Sequence, residues 1–300
     1  MLEINDRQEP GLLHRLAGKL TKAKLQLERE TLFGKSYGRL RVSSLEKEAD
    51  WWRVYQYLGR YGRRLLLPEG VEVPGGVPLL GFHSGLFDTE VLFHTACAII
   101  SRSRMQMYRR LVGLIDPDGR YVSQLAGLLK YFTAVKVHTD RPDLYRPACR
   151  EMMETFGAPV MICESLAGLE GCVMVLCPQP FETEQPLRLS GPVLGDENIR
   201  LPCKFDLISH LEVELPQDIK EKLPPGVSPH EFAGALYELL DIRNQPLVAK
   251  NMRYNHKVSS LGEVVGLLAR QFEVATSNTP PCEAREEERV TTRSPFSVEL

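Results

Sequence analysis

Two carboxylates separated by one residue, Asp116 and Asp118, directly follow an apolar run and directly precede Gly119. A carboxylate can attack a phosphoryl group, and paired carboxylates supply the oxygen ligands that Mg²⁺ prefers. The run Asp-Pro-Asp-Gly also suits a β-turn, because proline sets φ and glycine accepts a positive φ. The sequence therefore leaves two interpretations of these residues open, a chemical site and a purely structural turn.

A second polar run, Thr139-Asp140-Arg141, follows the next apolar segment of the same region. In sheets that bind nucleotides, an aspartate at this place can accept hydrogen bonds from a ribose, and an arginine can pair with a 2′-phosphate. The alternative is a capped turn, in which acidic side chains flank Pro142 before a helix begins. Thr139, Asp140 and Arg141 are therefore candidate ligand-binding residues.

The stretch from His83 to His94 carries further titratable side chains. Glu90 and His94 are four residues apart, which places them on one face of a helix. Because a metal site needs three or more converging ligands, this spacing predicts no metal site. His83 follows a strand candidate and precedes a helix, so it is a third catalytic candidate beside Asp116 and Asp118. The alternative here is a capped helix start with acidic side chains on the surface.

Four short apolar runs must position these side chains. They span Leu111 to Ile115, Ala134 to His138, Pro159 to Cys163 and Cys172 to Cys177, and segments with helical spacing separate the first three. Runs that are apolar on successive residues are typical of strands covered on both faces, and their alternation with helices predicts a parallel sheet. Ligands bind at the edge where the carboxyl ends of such strands meet. The predicted ligand site at that edge comprises Asp116, Asp118, Gly119, Thr139, Asp140 and Arg141.

The region from Leu111 to Pro178 resembles the nucleotide-binding domain of Rossmann-type dehydrogenases in its alternation of strands and helices. The resemblance implies an α/β fold with a nucleotide at the strand ends. The first loop of that family reads GxGxxG, and its glycine positions fall here on Asp116, Asp118 and Tyr121. A carboxylate close to a pyrophosphate repels it by roughly 4 kcal/mol, whereas the helix dipole contributes only about 0.3–1 kcal/mol. These departures disfavour NAD(P) on this loop and leave the cofactor unidentified.

The pattern hydrophobic-Asp-x-Asp-Gly also resembles the first motif of haloacid-dehalogenase-type phosphatases. That resemblance implies a magnesium-dependent phosphohydrolase, with Asp116 as nucleophile, Asp118 as acid/base and Thr139 in the phosphate-binding role. The chain departs from the family at Arg120, where threonine is usual, and at Pro117, which stiffens the loop. The chain is also similar to uncharacterised proteins of clostridial bacteria that carry a DPDGR loop, and that likeness implies no activity.

Periodicity and composition divide the chain into five predicted segments. Leucines at helical spacing over Gly11 to Glu30 indicate an amphipathic helix, and residues from Thr276 onward lose hydrophobic periodicity. The predicted fold class is α/β, with a Rossmann-like parallel sheet flanked by helices, a small N-terminal α/β lobe and a helical C-terminal part. The predicted segments are an N-terminal helix at 1–35, a small α/β lobe at 36–110, the Rossmann-like core at 111–180, a C-terminal α/β extension at 181–275 and a disordered tail at 276–300.

Composition narrows the expected partners and location. The formal net charge of -2 shows none of the basic excess that is typical of nucleic-acid-binding proteins, and no apolar run approaches the ~18 residues that span a bilayer. We therefore expect neither a nucleic-acid partner nor a membrane partner. Most of the seven cysteines lie in apolar patterns, which is typical of reduced, buried thiols in a cytoplasmic protein. The predicted N-terminal helix offers a contact surface for a second subunit, so a homo-oligomer is the candidate assembly.

These observations predict a cytoplasmic protein that binds a small molecule or nucleotide at the strand ends, without an intact GxGxxG motif. Two alternatives stay open. The first is a magnesium-dependent phosphohydrolase that uses Asp116 and Asp118. The second is a non-catalytic interaction module that keeps the fold and has lost the cofactor site.

Overall fold

The computed structural model describes residues 2–4, 24–43, 45, 47–59, 64–185, 187–243 and 246–277. In the N-terminal part, β2 and β3 form an antiparallel hairpin, β1 pairs parallel with β3, and β4 pairs parallel with β5. Helix α1 buries Trp51 and Val54 beside Leu40 and Val42 of β3, so this lobe has its own apolar core. The elements of this lobe are β1 (Leu2–Ile4), β2 (Leu25–Leu32), β3 (Lys35–Val42), α1 (Glu48–Leu58), β4 (Arg64–Leu65) and β5 (Leu80–Gly81). The next helix, α2 (Leu86–Arg102), packs in the core of the central sheet instead.

The helix predicted over Gly11 to Glu30 is corrected at its C-terminal end, where the chain forms strand β2. Leu27, which the predicted helical stripe would bury, is 49% exposed. Charged side chains pair across the hairpin instead, and Glu28 lies 3.1 Å from Arg41. The continuous backbone ladder with β3 outweighs helical spacing here, because it satisfies the N–H and C=O groups along the whole strand. Residues 5–23 lie outside the described part of the chain.

The central sheet holds eight strands in the order β8-β7-β6-β9-β10-β11-β12-β13. The strands from β8 to β11 are all parallel, and β12 and β13 add an antiparallel hairpin at one edge. The elements of this part are β6 (Leu111–Ile115), α3 (Leu125–Leu128), β7 (Ala134–His138), α4 (Pro142–Phe156), β8 (Val160–Cys163), β9 (Met174–Cys177), β10 (Val193–Gly195), β11 (Leu207–Glu212), α5 (Gln217–Lys220), α6 (Pro229–Leu239), β12 (Asn251–Tyr254), β13 (Lys257–Ser260) and α7 (Leu261–Ser277).

The strand order is that of a Rossmann fold. With β6 counted as the first strand, the parallel strands run 3-2-1-4-5-6, and the order reverses between β6 and β9. The predicted parallel sheet is confirmed, and the chain has a Rossmann-like α/β fold. The sheet extends beyond the predicted core at 111–180, because β10 to β13 belong to it. The C-terminal part therefore contributes strands as well as helices.

The apolar runs form strands because both faces of the sheet are covered. Val112 and Leu114 of β6 face one buried cluster, whereas Ile115 packs with Val175 in a second cluster on the opposite face. The helices that connect consecutive parallel strands differ in length. The one between β6 and β7 holds only the single turn α3 after a 3₁₀ turn, and the one between β8 and β9 holds the 3₁₀ turn Leu166–Leu169.

The C-terminal helix extends into the segment that was predicted to be disordered. Helix α7 continues through Thr276 and Ser277, the first residues of the predicted tail, and residues 278–300 lie outside the described part. Among the helices in the described ranges, none has both the length and the apolar character that crossing a bilayer requires.

A glycine pair tests the close approach of β9 and β10. A Cβ at Gly191 would lie 1.9 Å from the carbonyl oxygen of Val173, whereas a Cβ at Gly266 in α7 would meet nothing within 4 Å. We expect Gly191→Ala to lower the free energy of unfolding by about 1–3 kcal/mol or more. Gly266→Ala should raise it by about 0.5–1 kcal/mol, because alanine suits a helix interior better. Urea denaturation measures both, and equal effects of the two variants would contradict the observed packing.

Candidate functional site

Asp116 lies directly after β6 and closes the loop that follows. Its side chain is 0% exposed, and its two carboxylate oxygens accept the backbone N–H groups of Arg120 and Tyr121 at 3.0 and 2.9 Å. The hydroxyl of Tyr145, from α4, donates to the same carboxylate at 2.5 Å. Burial, and then the hydrogen bond to Asp116, raise the pKa of the Tyr145 phenol above its ordinary value. Asp116 is therefore an internal hydrogen-bond acceptor in this structure.

The loops after β6 and β7 meet at the carboxyl edge, as predicted. The N–H of Asp140 donates to the carbonyl oxygen of Pro117 at 3.1 Å, and the Thr139 hydroxyl accepts the N–H of Arg141 at 3.0 Å. Asp118 is an exposed partner of Arg120 at 2.8 Å. The six predicted ligand-binding residues thus lie together, and the turn interpretation accounts for the hydrogen bonds that they make.

The first loop differs from a phosphate-binding loop in two physical respects. The backbone N–H groups that would face an anion, at Arg120 and Tyr121, are occupied by the carboxylate of Asp116. The helix that follows is the single turn α3, so few aligned peptide dipoles point at the loop. Gly119 has φ +71°, and a Cβ there would meet Leu144 Cδ1 at 2.6 Å, so glycine is needed for the turn itself. The geometry disfavours phosphate at this loop and does not expose Asp116 as a nucleophile.

A cavity of about 370 Å³ opens further along the same edge, and we call it the edge cavity. Its walls come from the carboxyl ends of β9, β10 and β11 and from the first turns of α2 and α6. Among the lining residues that the structure describes, no lysine or arginine occurs. The titratable residues that line it are Asp88, Asp196, Glu197, Glu212, Glu231, His210 and His230.

His210 projects from an irregular part of β11. Its backbone has φ +48°, a left-handed value that costs a non-glycine residue about 1–2 kcal/mol. The pairing with β12 shifts register between Ser209 and Glu212, as at a β-bulge, and bulges re-aim side chains. The His210 Nε2 atom pairs closely with Glu197, and Arg253 Nη1 lies 3.1 Å from the same nitrogen. Glu197 therefore orients the imidazole at the cavity wall.

The opposite wall carries a second histidine–carboxylate pair. His230 Nε2 lies 2.7 Å from Asp88 Oδ1, and the Ser84 hydroxyl donates to the same oxygen at 2.5 Å. The Nδ1 atom of His230 is buried and has no hydrogen-bond partner among the residues that the structure describes. Glu231 accepts the N–H of Ser84 at 3.2 Å, which ties the first turn of α6 to the start of α2.

The carboxylates of the edge cavity have different protonation behaviour. The hydrogen bond from His210, and then its charge, lower the pKa of Glu197 below its ordinary value. Burial raises the pKa of Glu231, although the Ser84 N–H acts in the opposite direction. Glu197 is thus ionised at neutral pH and suits a cationic ligand. A carboxylate beside an imidazole also orients the histidine for proton transfer.

The stretch from His83 to His94 lies partly at the edge cavity. His83 is 87% exposed and reaches only to 4.0 Å from Glu231, whereas Asp88 of the same stretch lines the cavity. Glu90 and His94 share a helix face at 3.8 Å, as predicted. In the described part of the chain, no group of three or more histidine, cysteine or acidic residues is arranged to hold a metal. His210 and Glu197 were missed, because only a bulge and strand pairing bring them to one cavity.

Comparisons with known proteins add the following. No family model and no curated protein matches the chain. The chain is similar to several solved structures, and three of them are the following. Δ(1)-pyrroline-2-carboxylate reductase of Thermococcus litoralis, in complex with NADH and L-proline, is 16% identical; the match covers 60% of this chain and 59% of that chain, with a TM-score of 0.29. L-tryptophan dehydrogenase of Nostoc punctiforme is 13% identical; the match covers 80% of this chain and 71% of that chain, with a TM-score of 0.31. The NAD-complexed D-isomer specific 2-hydroxyacid dehydrogenase of Lactobacillus delbrueckii ssp. bulgaricus is 13% identical; the match covers 79% of this chain and 82% of that chain, with a TM-score of 0.35.

The chain spans less than two thirds of the reductase. At these TM-scores the likenesses carry no argument about a ligand or a reaction of this chain. The resemblance to clostridial proteins with a DPDGR loop stays a prediction.

Tyr145 tests the closed first loop. We expect Tyr145→Phe to lower the free energy of unfolding by about 1.5–3 kcal/mol, because it removes a hydrogen bond to a buried charged carboxylate. Tyr131→Phe is the matched control, since Tyr131 is 39% exposed and its hydroxyl makes no hydrogen bond with the described residues. Its effect should stay within about 0.5 kcal/mol. Denaturant titration measures both. A Tyr145 variant as stable as the control would show that Asp116 does not depend on this bond.

Proposed function

We propose that this protein binds a small, amino-bearing polar molecule in the edge cavity. The observation that carries the proposal is the convergence of five carboxylates and two histidines on one cavity at the carboxyl ends of neighbouring parallel strands. Open α/β sheets bind their ligands at that edge. A volume of about 370 Å³ suits a metabolite of modest size.

Charge supports a cationic ligand over a nucleotide. Two like charges ~4 Å apart repel by roughly 4 kcal/mol at an effective dielectric constant near ~20, and opposite charges attract by the same amount. A phosphate chain in the edge cavity would face several carboxylates and no lining lysine or arginine among the described residues. A primary ammonium group would instead replace the water that solvates Glu197 and its neighbours.

His210 supports a role beyond passive binding. When the imidazole is neutral, its hydrogen bond to the Glu197 carboxylate places the ring proton on Nε2, and Nδ1 is then an acceptor. An acceptor nitrogen at a cavity wall can take a proton from a bound ammonium or hydroxyl group. We assign His210 as the acid–base residue of this site and Glu197 as the residue that positions it.

The other predictions keep less support. The phosphohydrolase would need Asp116 exposed to substrate, and the structure buries it. The interaction module is supported only by the closed first loop. A reducing, cytoplasmic setting is supported by the free state of six cysteines in the described residues. The homo-oligomer would rest on the N-terminal segment, most of which lies outside the described residues.

A ligand panel tests the proposed function. The thermal unfolding temperature is measured with putrescine, agmatine, L-arginine and other amino-bearing metabolites, and with NAD, NADP, ATP and S-adenosylmethionine. We expect at least one amino-bearing compound to raise Tm, because ligands that bind only the folded state stabilise it. NAD, NADP and ATP should not raise it.

Variants then locate the binding. Glu197→Gln and His210→Gln should weaken the active compound by about tenfold or more, since each removes a charged or hydrogen-bonding partner. His94→Gln, a change of the same kind outside the edge cavity, should leave binding unchanged. A Tm shift caused by NAD or ATP and retained in His210→Gln would contradict the proposal.

A further inference from the structure

A second cavity lies at the opposite edge of the sheet, where the chain leaves α2 and enters the amino end of β6. It has a volume of about 410 Å³, and Arg104, Arg109 and Tyr108 line it together with Phe272 of α7. We call it the arginine cleft. No acidic residue is found among the residues that line it within the described chain. Its charge is therefore opposite to that of the edge cavity.

The two arginines of the arginine cleft have no acidic partner among the described residues. Arg109 lies over the ring of Tyr108, with 5.5 Å between its guanidinium carbon and the ring centroid, and its Nε donates to the Tyr108 hydroxyl at 3.3 Å. Arg104 is exposed. Guanidinium groups that face a cavity without a carboxylate are available to an anion, and their planar fork matches phosphate oxygens.

Arg104 occupies a backbone position that glycine usually fills. Helix α2 ends with Ser103 as its C-cap, whose N–H donates to the carbonyl oxygen of Ile99 at 3.0 Å. The next residue, Arg104, has φ +56°, the left-handed conformation in which helices commonly place glycine. Replacing arginine by glycine here would relieve the backbone and remove the side chain together with its guanidinium group.

The segment that carries the arginines is held in place by its own hydrogen bonds. The Arg110 guanidinium donates twice to the carbonyl oxygen of Met105, at 2.9 and 2.7 Å. The Ser103 hydroxyl donates to the carbonyl oxygen of Ile100 at 2.8 Å. Because these hydrogen bonds already order the segment, an anion can bind without a further loss of conformational entropy in the loop.

Apolar surface adjoins the two guanidinium groups. Tyr108 is 71% exposed, although an aromatic ring of this size usually finds cover. Phe272 and the buried Met105 form an apolar wall of the same cleft. The ligand that matches this surface has an anionic end and a flat or apolar end.

We propose that the arginine cleft binds a phosphate monoester carried by an aromatic or apolar group. Arg104 and Arg109 contact the phosphate, and the ring of Tyr108 contacts the apolar part. The phosphate belongs either to a free metabolite or to a lipid headgroup, and the chemistry is the same in both. This site is independent of the function proposed for the edge cavity.

Titration calorimetry with phenyl phosphate tests the cleft on the full chain. We expect phenyl phosphate to bind roughly tenfold more tightly than inorganic phosphate, because the aromatic ring adds a stacking contact. Affinity should fall as salt concentration rises, since exposed charges are screened.

Variants separate binding from folding. Arg104→Gly should raise Tm and yet weaken phenyl phosphate binding by about tenfold, a combination that a purely structural arginine would not produce. Arg109→Gln should weaken binding with little change in Tm. Arg150→Gln, at an exposed arginine of α4 that lines neither cavity, is the matched control and should change neither.

Vesicles of phosphatidylcholine, with and without phosphatidic acid, distinguish a phosphate in a lipid headgroup from a phosphate on a free metabolite. Co-sedimentation that requires phosphatidic acid and is lost in Arg104→Gly supports a lipid headgroup, and phenyl phosphate binding without co-sedimentation supports a free metabolite. Absence of binding to both probes, or binding unchanged in Arg104→Gly and Arg109→Gln, overturns the proposal.

Discussion

The buried carboxylate of Asp116 is the interaction on which the arrangement of the carboxyl edge depends. It accepts two backbone N–H groups of its own loop and the hydroxyl of Tyr145. In a Rossmann fold, N–H groups at this place are available to the phosphates of a nucleotide. Here the Asp116 carboxylate binds these N–H groups, and because it belongs to the same chain it loses no translational entropy on binding. The fold is kept, but its usual phosphate position is filled by the protein itself.

The accessible space at this edge lies instead beyond β9, β10 and β11. Two acidic residues of α6 hold the wall in place, because Glu231 binds the N–H of Ser84 and Glu238 binds the N–H groups of Gly85 and Phe87. These bonds cap α2 from a helix that is about 150 residues away in sequence, so the two first turns face one cavity. The edge cavity and the arginine cleft carry opposite charge at opposite ends of the parallel strands, which separates the ligand classes that each can take.

Much of the fold follows from local sequence, and much of the edge cavity does not. The run Leu111 to Ile115 and its three companions read as strands because each is apolar on successive residues, and such runs need cover on both faces. Strand β2 was missed because its leucines happen to fall at helical spacing, while pairing with β3 depends on a separate segment. His210 could not be recognised, since its role follows from a register shift against β12 and from Glu197 on another loop.

The most direct test of the closed first loop observes the amide protons of Arg120 and Tyr121 by NMR. Both should exchange slowly with solvent, and their chemical shifts should stay unchanged when NAD or ATP is added, because the Asp116 carboxylate already binds them. Exchange as fast as in an unstructured peptide, or a shift of either amide on addition of a nucleotide, would contradict the account.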